Sequence, residues 1–341
     1  MGIRKSFVEL NATERDNFLK AVLTLKNEIA NPTAPASEQV SIYDQFVALH
    51  RSVMSLTLPD RSTRNFGHTN SMFLPWHRLY IKEFETELQK VDSTVNLPYW
   101  NWTERAKTGS VLFQNSFIGP TTSSTTFVSP FPRPTRLNVI TSGYFAQTSP
   151  SPTPAWWPQG MNGWIIRREL QPYYSSLPDG QGGLTDLRAS LVRLGGPTSD
   201  LPSQSQIDMV LQANSYHSFR LALEAGIIGG PNGLPTHNFI HNWVGGHMGT
   251  GTSPNDPVFF MHHCFVDKLW ADWQADGHPN DYEGASPFGF NDPMWPWVTN
   301  PTDYDSPAQL KPFLPDYDVA EDFTPEDVMD ISDPLLDYSY A

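Results

Sequence analysis

Two stretches decide how this chain folds: residues 68–85, HTNSMFLPWHRLYIKEFE, and residues 253–270, SPNDPVFFMHHCFVDKLW. In the first, Phe73, His77, Ile81, Phe84 and Leu88 repeat at intervals of three and four. That period predicts a helix over 72–90 with His77 on its buried stripe. His68 precedes the helix in the loop GHTNS. In the second stretch, Asp256-Pro257 reads as an N-cap followed by Pro at the first helical position. It opens a helix through about 274 that carries His262 and His263. Upstream, residues 37–55 read as a helix in which Val40, Tyr43, Val47, His50 and Met54 share a face, and residues 12–30 as another. In 236–248, THNFIHNWVGGHM, His237 and His241 are four apart and point the same way from a short helix. A further helix is predicted over 204–225. Six histidines thus fall into two groups of three, His50, His68 and His77, then His237, His241 and His263.

The composition narrows what such a chain can be. Its 341 residues suit one large domain or two small ones. Apolar residues make up 39% and aromatics 13%, enough for a sizeable core. The 31 prolines predict long irregular loops, chiefly over 103–160 and 171–205, draped on a helical core. A net charge of −14 disfavours nucleic acid and anionic membranes as partners. No apolar run is long enough to span a membrane. The opening MGIRKSFVELNATERDNF lacks the apolar segment of a signal peptide. The expectation is a cytoplasmic chain, one whose export signal has been removed, or one that leaves with a partner. Cys264 is the only cysteine, so no internal disulfide forms and no metal is held by several thiolates.

Three helices repeat one local device. Phe46 stands four before His50, Phe73 four before His77 and Phe259 four before His263, so each ring is expected one turn from its histidine on the same face. An apolar ring beside an imidazole restricts its rotation and excludes water, as the outer shell of a metal site should. Imidazole-only ligation suits zinc, copper, iron or nickel. Asn238 stands where a zinc protease of the H-E-x-x-H type would carry Glu. Three histidines per ion, twice, without carboxylate or thiolate, favour paired copper.

The two opening stretches resemble the copper-A and copper-B signatures of the tyrosinase family of type-3 copper proteins, and THNFIHNWVGGHM and the terminal Tyr-Ser-Tyr match as well. The resemblance covers most of the chain, and the length is similar to that of compact bacterial members. It implies a mainly α fold, a helical bundle holding a dinuclear copper site, with long Pro/Gly-rich loops and few short strands. It also implies one domain over 1–341, with 301–341 as an extended tail packed on the core. By motif, copper A would be held by His50, His68 and His77, and copper B by His237, His241 and His263. Periodicity does not choose between His262 and His263. The family motif selects His263, which leaves His262 beside the ligands or in the core. His217, His247 and His278 are expected to be structural. Fungal and plant members carry a Cys two residues before the second copper-A histidine, cross-linked to a nearby His. Here that position is Phe66, so His68 must be held by packing and hydrogen bonds alone.

The resemblance further implies two copper ions, O2 as co-substrate and small phenols as substrates. Monophenols would be hydroxylated to o-diphenols, and o-diphenols oxidised to o-quinones. A phenol has a pKa near 10 and must lose its proton first. Glu224, in FRLALEAG, and Asn238 are the candidates for holding a water that takes that proton. A structural ion pair of Glu224 with Arg220 is the competing reading. Arg78 and Asp267, which flank ligands, are expected to form an Arg–carboxylate fork between two helices. Three other functions share these motifs in whole or part: a catechol or o-aminophenol oxidase without hydroxylation, an oxygen carrier, and a mononuclear zinc hydrolase. The sequence leaves open the physiological phenol, the oligomeric state and whether a copper chaperone loads the site.

Overall fold

A computed structural model describes residues 2–35, 38–121, 126–129, 135–138, 142–145, 195–224 and 236–341. The chain is mainly helical. Helix α1 (Ala12–Asn27) starts at a capping box in which Asn11 and Glu14 satisfy each other's backbone N–H groups. Helix α2 (Ile42–Val53) is capped by Ser41, and α3 runs from Phe73 to Val91. The longest later helix, α8 (Val258–Ala275), packs against α3, while α1 lies across α2 and α3. The core between them is aromatic. Phe84 and Phe260 stack at 3.5 Å, and Phe46 meets both edge-on. None of the described helices is long and apolar enough to cross a membrane.

The strands are short. β1 (Gly2–Arg4) pairs in parallel with β6 (Tyr338–Tyr340), which joins the two ends of the sequence. β2 (Leu56–Thr57) and β3 (Thr63–Arg64) form a minimal hairpin, and β4 (Thr126–Ser129) pairs with β5 (Thr135–Asn138). Residues 103–121 of the expected loop region contain a short helix, α4 (Arg105–Lys107), that runs into a turn over Thr108–Leu112. Most of the remainder of 103–160, residues 171–194 of 171–205 and the loop GIIGGPNGLP lie outside the described residues.

The helix expected over 204–225 is instead two, α5 (Gln204–Leu211) and α6 (Tyr216–Glu224). The break has two causes. Trp273 donates its indole N–H to the Ala213 carbonyl at 2.6 Å, and the Ser215 hydroxyl accepts the Ser218 N–H, which caps a new helix. α8 also begins one residue later than expected. Pro257 is its N-cap, with Asp256 still accepting the Val258 N–H. Helix α7 (Thr236–Val244) carries THNFIHNWV.

Between α3 and α8 lies a buried charge hub. Arg78 donates from Nε to Asp267 Oδ1 at 2.5 Å, so the expected tie between the two helices exists. It is not a two-pronged fork. The other carboxylate oxygen of Asp267 accepts from Arg4 and from the hydroxyls of Tyr338 and Tyr340. Arg78 spends its Nη1 on the carbonyls of Val328 and Met329. Arg4 also pairs with Glu85 on α3. Both ends of the sequence are therefore anchored directly behind the helices that carry His77 and His263.

Candidate metal centre

All six expected histidines converge. α2 supplies His50, the loop before α3 supplies His68, and α3 supplies His77. α7 supplies His237 and His241, and α8 supplies His263. In each group the nearest ligand atoms lie within 4.8 Å of one another. In the first, the ring centroids are 5.0 Å apart for His50 and His68, 4.8 Å for His68 and His77, and 5.7 Å for His50 and His77. The groups touch where His77 and His263 stack, 4.2 Å apart and nearly parallel. His68 and His241 are half-buried, whereas the other four are buried. The site therefore opens on the side of those two rings.

Oxygen acceptors set the protonation of four of these rings. His50 Nδ1–H donates to Gly251 O at 2.9 Å, His77 to Phe73 O at 2.8 Å and His241 to Met248 O at 2.6 Å. His237 donates to Asn238 Oδ1 at 2.7 Å. A carbonyl oxygen can only accept, so Nδ1 holds the proton and Nε2 presents a lone pair. In the second group, Nε2 of His237, His241 and His263 are 3.1–3.4 Å apart. The His237 and His241 lone pairs cannot hydrogen-bond each other, and a cation placed between them would satisfy both. Ligands at about 2.0 Å from one tetrahedral ion would sit about 3.3 Å apart. In the first group, Nε2 of His50 and His77 are buried with no hydrogen-bond partner. Burial also favours the neutral, ligating form, driving His50 down to about 3 and His241 to about 4. The residues present fit two ions, each held by imidazole.

The surrounding rings differ from expectation at one helix. Phe73 lies 5.0 Å from His77 and Phe259 lies 4.2 Å from His263, as the spacing predicts. Phe46 turns instead to Tyr80, Phe84 and Phe260. The ring against His50 is Phe259, at 5.0 Å, so one phenylalanine of α8 serves both groups. Phe66 contributes no cross-link and packs on Phe288 and Tyr304. The His68 loop is held by hydrogen bonds instead. Asn65 Oδ1 accepts the N–H groups of Gly67 and His68, and Asn70 Nδ2 donates to the carbonyls of Asn65 and His68. Thr69, at φ 60°, is forced into the left-handed region, and its N–H reaches Glu224 Oε1 at 2.8 Å. Sequence reasoning named neither Asn65 nor Asn70. The dense Asn, Gly and Thr of NFGHTN was the available signal for a side-chain-stitched turn.

Glu224 ends α6, buried, with Arg220 Nη1 on its other oxygen at 2.7 Å. The ion pair weighed against a catalytic role is thus present. A carboxylate offers about four lone-pair positions, and these two bonds use two. Burial pushes Glu224 up to about 7, opposed by the Thr69 N–H and by Arg220. Asn238 is exposed beside it, its Nδ2 donating to the Glu224 carbonyl. Of the remaining histidines, His217 is exposed, His247 is buried, and His278 stacks on Trp273 and pairs with Asp281.

Comparison with known proteins decides the family. The model of the common central domain of tyrosinase matches residues 40–276. The chain belongs to the tyrosinase family. It is 34% identical over 310 residues to a tyrosinase of Streptomyces antibioticus, covering 87% of this chain and 93% of that protein. It is equally identical, over 334 residues, to the grixazone synthase of Streptomyces griseus, covering 90% and 95%. A polyphenol oxidase from Thermothelomyces thermophila superposes with a TM-score of 0.66 at 23% identity, covering 100% of this chain and 89% of that one. An octopus haemocyanin unit does so at 0.58 and 19%, covering 100% and 68%. At those identities the likeness is one of fold. As a tyrosinase-family member, the protein is a type-3 dicopper oxidoreductase that acts on small phenols with O2.

Proposed function

We propose that this tyrosinase-family enzyme hydroxylates monophenols to o-diphenols as well as oxidising o-diphenols to o-quinones. In this reading His50, His68 and His77 hold copper A, and His237, His241 and His263 hold copper B. The observation that carries it is Glu224, a buried carboxyl at about 7 with spare lone pairs, linked through its own carbonyl to Asn238. The bound copper pair supplies O2 activation and the two-electron oxidation. The protein supplies the proton acceptor. A monophenol must be deprotonated before it can be attacked, and Glu224 with Asn238 can share a water that takes this proton. A catechol is oxidised by electron removal and depends less on that base. Asn238 has a second task, since its Oδ1 fixes the His237 ring.

Oxygen uptake by the copper-loaded protein tests this. Glu224→Gln keeps an acceptor for Thr69 but loses the base. It should lower the monophenol rate about 10²-fold or more while retaining most of the catechol rate. Equal loss on both substrates would remove Glu224 from the chemistry. The second reading is catechol or o-aminophenol oxidation without hydroxylation. It is kept open by a relative of another name, grixazone synthase, that is as similar as the tyrosinases.

A further inference from the structure

α8 carries two adjacent histidines, and the two groups of three use only one. His262 is fully buried, and neither of its ring nitrogens has a hydrogen-bond partner among the described residues. A neutral imidazole carries one N–H and one lone pair. Leaving such a group buried and unpaired forfeits its hydration without replacement, so a phenylalanine would pack here at less cost. The rings of His50, His77, His237 and His241 are each locked by an oxygen acceptor. His262 is not.

Its position accounts for it. The ring lies nearly parallel to His237 at 5.0 Å and edge-on to His241 at 4.7 Å. His263 is about as near to His237, at 4.9 Å, and farther from His241, at 5.6 Å. A nitrogen of His262 falls within 4.8 Å of the ligand atoms of His237, His241 and His263. The two neighbours differ in what lies beyond them. His263 stacks on His77 and faces the first group, whereas the ring contacts of His262 are confined to its own group and Trp102.

We propose that His262 is a fourth metal-binding imidazole, forming with His237 and His241 a second position for an ion beside the one completed by His263. The proposal rests on assigning His237, His241 and His263 to copper B. The two positions share two ligands, so one ion occupies one or the other. Such a position has a use during loading. Two cations held about 3.5–4 Å apart repel each other, and the His262 position lies on the side of the group away from His77. It takes up the second ion before the pair closes. Imidazole sets of this kind accept Cu(I) and Zn(II) alike.

The test is Zn(II) titration of the copper-free protein carrying 15N-labelled histidine. The His262 ring nitrogens are followed by NMR, alongside Cu(I) uptake by wild type and His262→Phe against a chromophoric chelator. The expected result is a shift of a His262 nitrogen while the second ion is being bound. The variant should still reach two ions per chain, with the second bound about tenfold more weakly or more slowly. Wild type that takes up two ions with His262 unmoved, and a variant with unchanged uptake, overturn this inference alone. Wild type that fails to take up two ions overturns the ligand assignment and this proposal with it. The NMR arm uses the unaltered protein, so it decides the matter even where the variant fails to fold.

Discussion

At the scale of single residues, the chemistry depends on what the histidines and Glu224 touch. Glu224 connects the two halves of the site. Its side chain holds the Thr69 N–H next to His68, and its carbonyl holds Asn238, which fixes His237. Its carboxyl, raised to about 7 by burial, yields a pH prediction. The carboxylate is the form that accepts a proton, and it accumulates as pH rises through that value. The ratio of monophenol to catechol turnover should therefore rise between about pH 6 and about pH 8. In Glu224→Gln that rise should vanish, and a ratio flat with pH in the wild type would contradict the role. Because the folded pKa lies above the unfolded one, the group's contribution to stability is present below the ordinary Glu range. It is lost as pH rises through about 7. The convergence of the six histidines was legible from sequence because helical spacing put His50, His77, His237 and His241 on inward faces. Their fixing partners were not. Gly251, Phe73 and Met248 act through main-chain carbonyls, which every residue possesses.

At the scale of elements, α3 and α8 form the frame, and Asp267 is their joint. Burial opposes its charge, but Arg78, Arg4 and two tyrosine hydroxyls outweigh it and hold the carboxyl below its usual range. That stability is present above the ordinary Asp range and is lost as pH falls through the lowered value. Asp267→Asn leaves the buried Arg78 guanidinium without its counter-charge and Arg4 with Glu85 alone, and should cost about 3–5 kcal/mol in denaturant unfolding. It should also weaken copper retention, because His263 and His77 sit on the helices it joins. Unchanged stability and copper affinity would show that Asp267 merely fills space. The helices α1, α2 and α3 could be read from apolar residues spaced at three and four, and α8, buried on nearly every side, from its Asp256-Pro257 start. Phe46 shows where that reading stops. Its spacing from His50 is right, yet the packing of α2 turns it to Phe84 and Phe260 and gives His50 the ring of Phe259. The break between α5 and α6 was hidden for a similar reason, since it depends on Trp273, 60 residues away.

At the scale of the whole molecule, the two ends close the structure behind the metal centre. Arg4 of β1 reaches Asp267 across 263 residues and Glu85 across 81, and Tyr340 of β6 meets the same Asp267. No local pattern announces contacts of that range. The parallel β1–β6 pair thus shares its carboxylate with α3 and α8. The central claim is that two groups of three imidazoles each hold a copper ion. The most direct test is elemental analysis of copper bound per folded chain, in wild type and in His77→Ala, which leaves the first group two imidazoles. Two coppers in wild type and one in the variant are predicted. A single copper in wild type, or a variant that still holds two, would contradict the account.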